Sequence, residues 1–160
     1  MAKKRRSNQT DTATIENRKA RYNYAIGDTL EVGVMLRGSE VKSVRDGKVS
    51  LGEGFVRAVG EPPQLFLHNV NIGEYFPAAA NGHKPTRTRK LLAHRKEITR
   101  LAKQAEERGT TLVPLKLYFK DGWAKLLIGV GRGKTHQDKR DTMRERDIRR
   151  EIDRAMSKRV

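Results

Sequence analysis

The chain has 160 residues, 35 Lys and Arg against 19 Asp and Glu, and a formal net charge of +16. It has no cysteine, which excludes disulfides and thiolate metal sites, and no apolar run reaches the roughly 20 residues that span a bilayer. A hydrophobic share of 36% is low for a globular domain, so part of the chain is expected outside the core.

A charge this large points to a polyanionic partner. Nucleic acid is the first choice and an anionic membrane surface the rival. Length allows one domain with arms. Met1-Ala2-Lys3-Lys4-Arg5-Arg6 is basic, but no apolar segment follows it, which predicts a soluble cytoplasmic protein rather than a secreted one.

Residues 1–11 are basic and polar without periodicity and read as a disordered arm. A short helix is predicted over 14–21, capped by Thr12 or Thr14, with Arg18, Lys19 and Arg21 on its outer face. From Tyr22 to Leu36 the pattern alternates: Leu30, Val32 and Val34 share one face, and Gly27-Asp28 interrupts as a bend or bulge. Residues 38–47 predict a short helix, with Ser39 as cap, Val41 and Val44 inward and Gly47 as stop, which gathers Lys42, Arg45 and Lys48 near one end.

Short strands follow at 49–51, 55–59 and 64–69, with a turn at Gly60-Glu61-Pro62-Pro63. The stretch 76–84 is rich in Ala, Asn, Gly and His, as suits a mobile surface loop. A long helix is predicted next, capped by Thr86 or Thr88 and ended by Gly109. Its apolar stripe is Leu91, Leu92, Ile98, Leu101, Ala102 and Ala105. Leu115, Leu117 and Phe119 then alternate with polar neighbours, and Asp121-Gly122 is a type I′ hairpin turn into a return strand over 123–130. Beyond Gly131 the chain is mostly charged. Ile148, Ile152, Ala155 and Met156 form a narrow stripe, expected to be disordered alone and helical against a partner.

Short strands without strand–helix alternation exclude an all-parallel sheet. The expected fold is mainly β: a six-stranded antiparallel barrel of the oligonucleotide-binding type with three helices and a basic C-terminal tail. The predicted division is an arm over 1–11, the barrel over 12–133 and the tail over 134–160.

Chemical motifs are few. Gly129-Val130-Gly131-Arg132-Gly133-Lys134-Thr135 resembles a phosphate loop, but only three residues separate Gly129 from Gly133-Lys134-Thr135 where four are needed. These glycines are expected to end a strand and release the tail. His68, His83, His94 and His136 show no metal-ligand spacing, and no nucleophile–base set can be assembled. No enzyme, metal or cofactor is expected. Arg87, Arg89 and Lys90 sit at the predicted helix start, where backbone N–H groups and cations suit a phosphate. Tyr22, Tyr24, Tyr118 and Trp123 could stack bases or fill the core.

Several segments together resemble one family. They are Glu16-Asn17-Arg18-Lys19-Ala20-Arg21, Gly38-Ser39-Glu40-Val41-Lys42-Ser43-Val44-Arg45, Pro85-Thr86-Arg87-Thr88-Arg89-Lys90-Leu91-Leu92, Leu117-Tyr118-Phe119-Lys120 and Asp138-Lys139-Arg140. In this order they resemble SmpB, the tmRNA-binding family of bacterial trans-translation. The resemblance implies the six-stranded barrel, binding to the tRNA-like domain of tmRNA in place of an anticodon arm, and delivery of alanyl-tmRNA with elongation factor Tu to stalled 70S ribosomes. The tail would become helical in the empty mRNA channel and report to the decoding centre.

By resemblance, Asn17, Glu31, Leu92, Lys125 and Gly133 match the family's RNA contacts. With the basic residues above, Tyr22 and Lys134, they make up the expected RNA surface. His136, Gln137, Asp138, Lys139, Arg140, Ile148, Ile152 and Met156 are the expected ribosome-contacting positions. Tyr22 stands where the family often has His. Gln137 stands just before Asp138-Lys139-Arg140, where the family tends to place Tyr or His, and His136 lies one residue earlier. The alternative to this reading is a generic basic RNA-binding or ribosomal protein.

Overall fold

The computed structural model describes residues 14–77 and 82–158. The expected arm at 1–11, the candidate cap Thr12 and part of the 76–84 loop fall outside them.

The elements in order are β1 (Ile15–Glu16), α1 (Arg18–Asn23), β2 (Tyr24–Val34), α2 (Gly38–Arg45), β3 (Val49–Ser50), β4 (Phe55–Val59), β5 (Gln64–His68), β6 (Asn71–Ile72), β7 (Arg89–Leu92), α3 (Arg95–Ala105), β8 (Thr110–Lys120), β9 (Trp123–Gly133) and α4 (His136–Ser157). Six strands close on themselves in the order β8-β4-β5-β7-β2-β9, with β9 pairing back to β8. Every pairing is antiparallel. This is the expected six-stranded barrel of oligonucleotide-binding type. β1 extends the edge of β8, and β3 and β6 form a separate two-stranded ribbon.

Alternation decides what fills the barrel. Val32, Val34, Val56, Leu65, Leu67, Leu91, Leu112, Leu117, Leu126 and Ile128 point inward and are buried. α2 adds Val44 to this core and α3 adds Leu101, with Ile98 and Ala105 beside it. The β2 bulge falls between Ile26 and Thr29, around Gly27-Asp28. The β8–β9 hairpin turns on Asp121 (φ 53°) and Gly122 (φ 81°), the two positive φ values of a type I′ turn. β9 runs on to Gly133, past its expected end at Val130, before the tail leaves. A Cβ on Gly129 would stand 2.8 Å from Ile26 Cγ2 and 2.9 Å from Leu115 Cδ1. That glycine serves close packing.

α1 does not begin at Thr14, because Ile15–Glu16 pairs with β8 and takes the chain extended to Asn17. Asn17 is the N-cap, its side-chain oxygen accepting from Ala20 N at 3.2 Å. Its amide donates to Leu51 O (3.1 Å) and Pro114 O (2.9 Å). Asn17 is buried and both its amide hydrogens are spent inside the protein, so its role is to seat the basic helix, not to reach across a surface. Asn17→Ala is expected to cost about 1–3 kcal/mol, because two carbonyls lose their donor; urea unfolding measures it. α1 packs Ala20 against Val113 and Leu115, with Tyr24, Ile26 and Leu127 around them. This second small core lies outside the barrel.

The largest departure is at residues 85–94. Arg89–Leu92 is a strand, and α3 starts only at Arg95 with His94 as N-cap; its backbone N–H donates to Glu97 Oε2 at 3.1 Å. Arg89 and Leu91 face in, Lys90 and Leu92 face out. The period is two, concealed because one inward residue is an arginine. α2 also begins one residue ahead of its expected cap, since the Arg37 N–H donates to Glu40 Oε2 at 2.7 Å. His83 is buried rather than on a mobile loop: Nε2 donates to Ile72 O and Nδ1 pairs with Ser39 Oγ, both at 2.9 Å.

α4 is a continuous helix of 22 residues, none of them buried. Thr135 and Asp138 cap each other at its start.

Candidate nucleic-acid interface

Strand register assembles one row on the outer face of the barrel. Leu92 of β7 pairs with Gly33 of β2, Gly33 with Lys125 of β9, and Lys125 with Tyr118 of β8. The four positions cross four adjacent strands on the outer face. Gly33 has no side chain there, and a Cβ would stand only 3.4 Å from that of Leu92. Leu92 therefore lies beside bare backbone, half exposed. Glu31 is two residues from Gly33 and so shares this face.

Glu31 is fixed from two sides. Tyr118 Oη donates to Glu31 Oε2, and Lys120 Nζ lies 3.5 Å from Oε1. The Tyr118 hydrogen bond holds the Glu31 carboxyl below its usual range, with Lys120 and Lys125 adding attraction. Burial, then the Glu31 carboxylate, push the Tyr118 phenol up to about 12. The pair is thus a protonated donor on an ionised acceptor at any ordinary pH. An oriented carboxylate between lysines can accept from base amino groups or ribose hydroxyls, while the lysines attract phosphate. Tyr118 is neither core nor a free stacking platform; it orients Glu31.

α1 extends the outer face, because Leu127, paired with Glu31, packs into the core beneath that helix. Arg18, Lys19 and Arg21 are exposed on it. Lys19 reaches Glu53 at 3.3 Å, an exposed pair of little energetic weight. Gly133 is exposed at the end of β9, opposite Tyr24. Lys134 Nζ bridges the Arg21 carbonyl and Thr142 Oγ1, both at 3.0 Å. The Tyr22 ring lies under Lys139, 5.8 Å from its Nζ, and Tyr22 Oη touches Met143 Sδ at 3.9 Å. Tyr22 and Lys134 therefore join α1 to the first turns of α4.

Other expected contacts lie elsewhere. Lys42 sits over Tyr75 and Arg45 over Phe119, so neither enters the row. Arg89 is fully buried: Nε donates to Glu40 Oε1 (2.8 Å), Nη1 to Val70 O (2.9 Å) and Nη2 to Pro85 O (3.0 Å). Arg87 donates twice to Glu40, at 3.1 and 2.7 Å. With no helix start at that point, the reading of Arg87 and Arg89 as a phosphate site fails. Both are committed to a buried carboxylate. Lys90, facing outward, remains exposed.

On α4, His136, Gln137 and Arg140 are exposed. Gln137 bonds Asp141, and Asp138 is used in the cap, where the hydrogen bonds from Thr135 hold its carboxyl below the usual range. Ile148, Ile152 and Met156 are all more than half exposed, and Met143 joins them. Among the described residues, no group of three His, Asp or Glu could hold a metal ion, and no helix is long and apolar enough to cross a membrane.

A family model described as SmpB protein matches residues 14–158. The SsrA-binding protein of Anaeromyxobacter dehalogenans (strain 2CP-C) is 51% identical over 142 residues, which cover 89% of this chain and 86% of that protein. The SsrA-binding protein of Geobacillus sp. (strain WCH70) is 49% identical over 144 residues, covering 90% and 92%. A chain of the solved structure "tmRNA-SmpB: a journey to the center of the bacterial ribosome" is 42% identical, with a TM-score of 0.66, and the match covers 82% of this chain and 94% of that one. A closed six-stranded barrel, the row on its outer face and a family match over almost all of the described length agree, and the chain belongs to the SmpB family of SsrA-binding proteins.

Proposed function

We propose that this chain is a non-enzymatic factor that binds the tRNA-like domain of tmRNA and escorts alanyl-tmRNA, with elongation factor Tu, to stalled ribosomes. The barrel stands in for the absent anticodon arm, and α4 probes the empty mRNA channel. One observation carries the RNA contact: Leu92, Lys125 and Tyr118 meet in one row across Gly33, with Glu31 ionised and oriented beside them. The row joins cation, acceptor and apolar contact on one outer face, flanked by a basic helix. Phosphate contact supplies affinity there and the fixed acceptor supplies selectivity.

The reading predicts preference for tmRNA over bulk tRNA at moderate salt, measured by competition binding. Equal affinity for both would favour a generic basic RNA-binding protein. Lys125→Met is expected to weaken tmRNA binding and reduce the salt slope by about one, as for one lost phosphate contact. Tyr118→Phe removes no charge, so it should weaken binding at unchanged slope.

A further inference from the structure

The most exposed large apolar side chain among the described residues is Phe76, 81% exposed, and it lies outside the row described above. It borders an open groove of about 620 Å³ whose other walls include Lys48, Ser50, Asn71, Gly73 and Glu74. The floor is the β3–β6 ribbon, in which Ser50 pairs with Asn71. Gly73 N donates to Lys48 O at 2.7 Å, and a Cβ on Gly73 would meet Lys48 Cβ at 3.1 Å. That close approach sets Lys48 beside Phe76, with its Nζ 5.9 Å from the ring centroid. The preceding residue repeats the arrangement: Tyr75 carries Lys42 Nζ at 5.0 Å.

We propose that Phe76, Tyr75, Lys48 and Lys42 form a second RNA-binding site, which takes an unpaired stretch of RNA by stacking. The ligand class follows from the chemistry present. Lys48 covers one side of the Phe76 ring at the limit of cation–π range, and the exposure of the ring leaves its other face open to a base. Two lysines beside successive rings match phosphates flanking successive bases. Exposed Ser50 and Asn71 on the floor donate and accept at base edges. Glu74 opposes phosphate but accepts from a base amino group, and the chain's +16 charge keeps the local field favourable to a polyanion. A lipid surface needs several exposed apolar side chains, and among the described residues Phe76 is the only large exposed one on this groove, with the Glu74 carboxylate beside it. The site rests on the reading of this chain as an RNA binder but uses residues outside the row, so the two can fail separately.

The test uses the full chain and a labelled oligouridylate of about ten nucleotides, a length within single-strand site sizes. Anisotropy is measured with and without saturating tRNA-like domain of tmRNA. Binding should persist in its presence. Phe76→Ala should lower oligonucleotide affinity about tenfold, the scale of one stacked base. Phe76→Trp should restore it, and Lys48→Met should weaken it with a shallower salt slope. None of the three should change affinity for the tRNA-like domain or the unfolding midpoint, because both side chains are exposed. Four results would overturn the site: no oligonucleotide binding, wild-type binding by Phe76→Ala, displacement of the oligonucleotide by the tRNA-like domain, or Phe76-dependent capture on phosphatidylserine vesicles instead. Loss of tmRNA preference with the Phe76 effect intact would sink the proposed function and leave this site standing.

Discussion

Glu40→Ala is expected to destabilise the fold by about 3–5 kcal/mol, the scale of a buried ion pair broken on one side. Glu40 and Arg89 are both fully buried. The carboxylate accepts from Arg89 Nε, twice from Arg87 and from the Arg37 backbone. It thereby ties the first turn of α2 to β7, and Arg89 ties both to the carbonyls of Val70 and Pro85. Removing Glu40 strands a guanidinium inside the protein with only carbonyl partners. Urea unfolding gives the number; a loss under about 1 kcal/mol would mean that Arg89 escapes to solvent when its partner goes. Glu53→Ala, which removes the exposed pair with Lys19, is the control and should change little.

The same carboxylate carries a pH signature. Burial alone would push the Glu40 carboxyl up. The hydrogen bonds from Arg87 and the Arg37 amide, with the charge and hydrogen bond of Arg89, outweigh burial and hold it at about 2, below the ordinary 4.5. A depressed carboxylate stabilises the fold fully above its unfolded value and loses that contribution as pH falls through the folded one. Glu40 is thus expected to supply on the order of 3 kcal/mol above pH ~4.5, lost progressively toward pH ~2. Wild type should lose stability more steeply than Glu40→Ala across this window. Parallel profiles would assign the acid sensitivity to other groups.

These residues mark where sequence reading stops. Local patterns carried the elements they govern alone: the alternation of Leu30, Val32 and Val34, the bulge at Gly27-Asp28, the Asp121-Gly122 turn and the α3 stripe of Ile98, Leu101 and Ala105. Arg89 gives no local sign of its burial, because its partner Glu40 is 49 positions away. An inward arginine at a period-two position reads as polar chain until the buried carboxylate is known. The burial of Asn17 and His83 likewise has no local signal, since Asn17 bonds the carbonyls of Leu51 and Pro114 and His83 bonds Ser39 and the Ile72 carbonyl. The start of α3 did carry a signal: Glu97 three residues after His94 is the spacing of a capping box. The row on the outer face required strand register. Leu92, Gly33, Lys125 and Tyr118 come from four strands, and only the family resemblance marks Leu92 and Lys125 as RNA contacts. The part of Tyr118 in orienting Glu31 was not legible in any local pattern.

Ending the chain after Lys134 is expected to leave tmRNA affinity unchanged and reduce tagging on stalled ribosomes to background. The expectation follows from where the cut falls. β9 ends at Gly133, paired with Tyr24, and the Lys134 N–H donates to Asn23 O at 2.9 Å, so the last contacts that close the barrel edge are retained. The removed helix buries no residue, and its described side-chain ties to the body are confined to Tyr22 and Lys134. An unsupported helix about 33 Å long, at 1.5 Å per residue, gains little from its end cap and from exposed i,i+3 pairs such as Arg150–Asp147. It can therefore swing or re-form elsewhere at small cost. Its apolar positions Ile148, Ile152 and Met156 are all more than half exposed, as suits a helix whose partner lies outside the protein. Ile148→Asp with Ile152→Asp should reproduce the tagging defect in a full-length chain, which separates loss of that face from loss of length. Should the truncated protein instead lose tmRNA, α4 would belong to the RNA-gripping surface through Tyr22 and Lys134, and the division between body and tail would have to be redrawn at α1.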